Sequence, residues 1–310
     1  MLDAVKQLFS DVPARTVRRR AIVLLLGGLV FLIGLDACGK YLGEHGVPVA
    51  ASTWARYAGH LAIVLLVCWP HEGRMLLRAQ HPPLQWARGA LMLAVTLLYF
   101  AALKHLPLAE ATALFFLTPI ATTALAVWWL RERPGLWTWL AMLLGFLGVL
   151  VVMRPGGELP LIGVLFALAA ALGNAAYQTL TRAATAQGRN ERTSVQLFYS
   201  GWVGALVMTL AAPLWLSWDW LEHMTGTLWL VFAATGALGA AGHWLLIRAY
   251  ALVPANVVMP WAYLQLLFSI VLGALVFGSF PDAVSLAGMA VIGLAPQLTR
   301  FDHRGGTGDR

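Results

Sequence analysis

The chain has 310 residues, 60% of them hydrophobic and 11% charged, with a formal net charge of +7. Soluble domains carry about 25% charged residues, so this composition, with a mean hydropathy of +0.74, excludes a water-soluble fold. The basic excess is not a nucleic-acid footprint either, because its charges sit at the breaks between apolar runs.

A basic arm, residues 1–20, comes first and holds Lys6, Arg15, Arg18, Arg19 and Arg20. Apolar runs then recur at the ~20 residues needed to cross ~30 Å of hydrocarbon. They fall at roughly 21–39, 48–69, 84–104, 108–130, 136–153, 160–181, 194–216, 227–248, 254–277 and 282–299, with a short tail at 300–310. Lipid cannot satisfy open backbone groups, so runs of this length are helices. The expected fold is an all-α integral membrane protein of about ten transmembrane helices. Arg74, Arg78, Arg88, Arg131, Arg133, Arg182, Arg189, Arg192, Arg248 and Arg300 fall on the side of the N-terminal arm, whereas Lys40, Arg56, Lys104 and Arg154 fall on the other half. By the positive-inside rule both ends are cytoplasmic. Cys38 and Cys68 lie near opposite ends of neighbouring spans, beyond the ~7 Å reach of a disulfide, and no cleaved leader is expected ahead of the first run.

The segment Ala102–Pro134 is weakly echoed by Ala249–Pro281, with Pro107 on Pro254, Leu117 on Leu264 and Pro134 on Pro281. An odd number of spans, duplicated, enters the membrane in opposite orientations. The expected units are two inverted five-helix repeats, residues 21–156 and 157–299.

The run Leu103–Gly156 contains a Leu-Pro-x-Ala-x-Ala approach, Pro119 in mid-helix, Glu132 after the fourth run and a closing Gly-x-x-Gly-Val. It resembles the first EamA-type repeat of the drug/metabolite transporter superfamily. Asp36-Ala-Cys-Gly-Lys40-Tyr-Leu and Trp54-Ala-Arg56-Tyr resemble that family's first two helices, and the likeness extends from about Ala21 to Thr299. It implies ten helices in two inverted repeats in a bacterial inner membrane. The second repeat departs from the pattern, with Leu266 for the proline and Ser279 for the glutamate.

Ionisable side chains inside a span cost ~2.5–3.5 kcal/mol on insertion scales, so they face a cavity or a partner. Asp36 and Arg56 lie at similar depths, close enough to meet as an ion pair or to hold a charged solute group. Lys40 follows Asp36 by one helical turn and is expected to snorkel to the interface. His60 follows Arg56 by one turn, and His243 lies beside the glycines of the eighth run. Both can carry protons or serve as buried hydrogen-bonded histidines. Glu110 near Lys104 reads as a solvated pair or a binding group. Asn174 and Gln178 mirror Asp36 and Lys40 across the midplane, so the two gates are expected to be chemically unequal. Tyr99, Tyr177, Tyr263 and Gln265 are the further candidates for lining a central site, with Pro119 and Pro260 loosening helix bonding nearby.

There is no Walker A or Gly-x-Gly-x-x-Gly turn, and no His-Glu-x-x-His or Gly-x-Ser-x-Gly motif. The function expected is secondary transport of a small organic metabolite or drug by alternating access, with efflux the favoured direction and protons a candidate coupling ion. The competing readings are an intramembrane enzyme and a non-transporting membrane sensor. No cofactor, metal or nucleic-acid partner is expected, and the unit is a monomer or homodimer.

Overall fold

A computed structural model describes residues 14–103, 105–106, 108–154, 159–185, 191–215, 219–277 and 282–303. Every described element is helical. The first span is the helix Ala14–Glu44, the second Val49–Glu72 and the third Pro82–Leu103. The fourth is broken into Leu108–Phe115 and Thr118–Leu130, and the fifth is Leu136–Met153. The sixth is Leu161–Thr185, the seventh Thr193–Leu210 and the eighth Gly226–Leu252. The ninth is broken into Ala255–Ala262 and Leu264–Phe277, and the tenth is Ala283–Leu294, continued by a 3-10 segment to His303. Among the described residues nine helices have the length and apolarity to cross a membrane. The seventh span is less apolar because Gln196, Tyr199 and Ser200 are built into its buried face.

Two boundary expectations are corrected. The first helix begins in the basic arm, not at residue 21, since arginine propagates helix well and Arg18 Nη2 is anchored 2.7 Å from the Thr299 hydroxyl. The fourth and ninth runs are each two helices rather than one. Proline has no N–H to give the carbonyl four residues back. Pro119 thus releases the Phe115 carbonyl, which accepts instead from the Thr118 hydroxyl at 2.8 Å. Pro260 lies inside the first half of the ninth span, just ahead of its break at Tyr263. The register that sets Leu117 on Leu264 also sets Phe116 on Tyr263, the residues at the two breaks. Their rings stack with centroids 6.1 Å apart.

The most extensive contacts follow one rule: exchanging each span with the one five places away maps these pairs onto each other. The first span packs on the eighth and the sixth on the third. The second packs on the eighth and the seventh on the third, while the second and seventh also meet, as do the fifth and tenth. Close approach is set by absent side chains. A Cβ on Gly236 would stand 2.5 Å from the Gly59 Cα, so the second and eighth spans touch backbone to backbone there.

The bundle has two ends. On the end carrying the termini, Asp302 accepts from the Trp137 and Thr138 amides at 3.0 and 2.9 Å and caps the fifth span. Glu72 pairs with Arg192 at 3.1 Å. On the opposite end an exposed Arg154–Asp282 pair closes at 2.6 Å. The Arg154 guanidinium and the Ser285 amide hold the Asp282 carboxyl well below its ordinary value of 3.8. A depressed carboxylate stabilises the fold above its unfolded value and loses that contribution as pH falls through the folded one. Asp282→Asn is therefore expected to lower the melting temperature slightly at neutral pH. The gap to wild type should close in acid below the ordinary carboxylate range, and a gap that widened there would contradict the pair.

Candidate functional site

Asp36 lies about 12 Å from the end of its helix at Glu44, and Arg56 about 10 Å from the start of its own at Val49, counting 1.5 Å per residue. Both are thus well inside the bundle from the end opposite the termini. Asp36 is exposed, yet it lies within electrostatic reach of Arg56 on the second span and Tyr99 on the third. An accessible carboxylate at that depth, with charged and aromatic neighbours on two helices, is a candidate group for a solute site.

Asp36 and Arg56 do not form an ion pair. No contact within 4.0 Å joins them, and the four pairs among the described residues lie elsewhere. The Arg56 Nε is buried with no hydrogen-bond acceptor. Below it, His60 Nε2 stands 3.1 Å from the Leu197 carbonyl. The His60 and His243 rings are 6.1 Å apart, and His243 Nδ1 lies 3.5 Å from the Tyr177 hydroxyl. The face of Tyr177 carries the Arg88 guanidinium at 5.3 Å. A polar column therefore runs Arg56–His60–His243–Tyr177–Arg88 through the bundle. Glycine makes room at its upper end: a Cβ on Gly239 would lie 3.8 Å from Arg56 Cγ and 3.9 Å from His60 Nδ1.

Arg88, expected from its position to be a charge at a turn on the side of the N-terminal arm, is instead a buried group. It has no exposed surface. Its Nη1 donates to Gln85 Oε1 at 2.6 Å and its Nε to the Thr181 hydroxyl at 3.0 Å. Its Nη2 has no partner. Sequence depth alone could not find this, because the groups sealing Arg88 come from the sixth and seventh spans. Tyr57, which its sequence position does not single out, is fully buried and donates to the Met92 carbonyl at 3.0 Å.

The other candidates scatter. Lys40 sits at the exposed helix end, 3.8 Å from Glu44. Tyr99 meets the Thr112 hydroxyl at 2.9 Å and lies within electrostatic reach of Asp36. Gln178 accepts from the Tyr250 hydroxyl, nearer the end with the termini. Asn174 and Gln265 are half-buried. Tyr263 is buried in the ninth span against Gly145 and Phe116, away from the column, with its hydroxyl unpartnered. The side chain of Glu110 lies outside the described residues, as do Lys104 and Ser279.

The end with the termini is sealed around Glu132. Its carboxylate accepts from Arg182 Nε at 3.3 Å and from the Ala255 and Asn256 amides at 3.1 and 3.3 Å. Arg182 Nη1 in turn donates to the Tyr250 carbonyl at 2.6 Å. These contacts tie the fourth, sixth, eighth and ninth spans together below the column.

Residues 19–154 match the EamA-like transporter family. The chain is similar to the riboflavin transporter of Vibrio cholerae, 26% identical over 89% of this chain and 90% of the relative. It is 29% identical to the S-adenosylmethionine uptake transporter of Rickettsia bellii, over 83% and 85% of the two chains. It is also 29% identical to the pseudopaline exporter CntI of Pseudomonas aeruginosa, over 80% and 85%. A solved crystal structure shares the fold, with a TM-score of 0.78 at 19% identity over 93% of this chain and 99% of the other. The chain is thus similar over most of its length to membrane transporters, and its first half carries the EamA-like match.

Proposed function

We propose that this protein moves a small organic metabolite or drug across a bacterial inner membrane by alternating access, with both termini in the cytoplasm. The solute site is the cavity between Asp36 and Arg56, floored by His60, His243 and Tyr177. The observation that carries this reading is an accessible carboxylate at like depth with a half-buried arginine whose Nε lacks an acceptor, the two unpaired with each other. Burying a charge without a partner is costly unless something else supplies one, and a solute with polar or charged groups does so. The two halves, residues 21–156 and 157–299, are proposed to be inverted repeats. The exchangeable packing pairs and the two helix breaks in one register support that reading. In this arrangement the Glu132–Arg182 contacts are the closed gate and the cavity at Asp36 is the open one.

Flux in proteoliposomes tests the reading, with riboflavin, S-adenosylmethionine and pseudopaline offered from either side. At least one solute should cross, and Arg56→Ala should lower its flux about tenfold, worth ~1.4 kcal/mol of binding. Unchanged flux in that variant removes Arg56 from the site. No flux of any solute from either side would count against the transport cycle as drawn.

A further inference from the structure

We infer that His60 is the proton-accepting group of the transport cycle, and that it takes up a proton together with an anionic solute group, carboxylate or phosphate, held by Arg56. The inference rests on the transport reading above and adds its coupling ion and the charge of its cargo.

The tautomer follows from one contact. The Leu197 carbonyl can only accept, so the His60 Nε2 lying 3.1 Å from it carries the hydrogen. In the neutral ring Nδ1 then holds the lone pair. That nitrogen faces the gap left by Gly239, into which the stem of Arg56 also projects. Among the described residues no donor reaches this lone pair, the buried Arg56 Nε–H has no acceptor, and the two are not bonded to each other. A donor and an acceptor are both left open beside the methyl-sized gap at Gly239.

The surrounding charges say when a proton belongs there. From the second span Arg56 faces the imidazole, and from the eighth His243. Tyr177 of the sixth span and Arg88 of the third lie beyond His243. Asp36 of the first span is in reach of Arg56 without pairing to it. The seventh span offers only the Leu197 carbonyl, with Glu191 beyond Arg88 and occupied by the Gln80 amide at 2.8 Å. Two guanidiniums thus bracket two imidazoles, and none of the four touches a carboxylate. A proton arriving alone adds a third uncompensated positive charge. An anionic group seated on Arg56 cancels one charge, so proton and anion favour each other's binding by the same factor. The step is a plain proton transfer. A proton from water on the open side adds to the Nδ1 lone pair to give imidazolium, no bond of the solute breaks, and the proton leaves when the anion departs on the other side.

The linkage can be read without knowing the solute. The full chain in nanodiscs, with 15N-labelled histidine, is titrated with acid in the presence and absence of sodium acetate and of sodium phosphate. One or both anions should move protonation of His60 Nδ1 to higher pH, and Arg56→Gln should abolish that shift. A shift that persists in Arg56→Gln, or no shift with either anion, overturns the inference. The second arm uses whichever solute crosses in the flux assay, in vesicles loaded with a pH dye. His60→Gln keeps an N–H for the Leu197 carbonyl, and its melting temperature should match wild type. Whatever solute flux remains, it should carry fewer protons per solute than wild type. Proton movement unchanged in His60→Gln also overturns the inference. If no solute crosses at all, the transport reading fails while the titration still decides this one.

Discussion

Glu132→Ala should cost about 3 kcal/mol of stability and open the end of the bundle that carries the termini. Glu132 and Arg182 are 9% and 15% exposed as side chains, so the pair is held largely out of water. Removing the carboxylate strands the guanidinium and leaves the Ala255 and Asn256 amides without their cap. Capping groups of this kind are worth ~0.5–2 kcal/mol on their own, and a buried charge losing its partner is the larger part. The same carboxylate ties the fourth span to the sixth and ninth, so its loss also shifts the balance between the two gates. Thermal unfolding in detergent reads the first effect, and thiol labelling of Gln178→Cys from the side of the termini reads the second. A loss below about 0.5 kcal/mol would place the pair among solvated surface bridges, and unchanged labelling would remove it from the gate.

Gly236→Val is expected to destabilise by about 1–3 kcal/mol, the usual cost of overpacking, and to impair transport as well. The clash is with backbone, which has no rotamer to change: the new Cβ would stand 2.5 Å from the Gly59 Cα and carbonyl carbon and 2.7 Å from the His60 nitrogen. The eighth span must therefore retreat from the second at the level of His60. Gly226, at the start of the same helix, has nothing within 4 Å of a built Cβ. Gly226→Ala should stay within about 0.5 kcal/mol of wild type, as exposed substitutions do. Equal melting temperatures for the two variants would mean that the spans have slack at Gly59.

Depth was legible in the sequence; facing was not. Apolar run length and 1.5 Å per residue are enough to put Asp36 and Arg56 at one level, because every helix obeys the same rise. Whether the two side chains meet depends on how each helix is rotated about its axis, which a single sequence does not encode, and here they stay apart. Arg88 shows the same limit from the other side. Its position near the start of a span is shared by charges that sit in water, and only Thr181 and Gln196, brought in by the fold, make it a buried group. The prolines did point to loosened helix bonding. They did not locate the breaks, because the carbonyl released by Pro119 finds a substitute in Thr118 and the chain parts a little earlier instead.

The stacked rings of Phe116 and Tyr263 hold one further consequence. In the proposed duplication they are one position counted twice, so their contact is the place where the molecule meets its own copy, as a residue on a dimer axis does. A contact on such an axis belongs to neither half. It acts as the fulcrum of a seesaw: whichever side tips, both arms turn about the same point. In a homodimer that position must suit itself and cannot change alone. Once both copies share a single chain it is released from that condition, and one ring is free to gain a hydroxyl while the other stays plain.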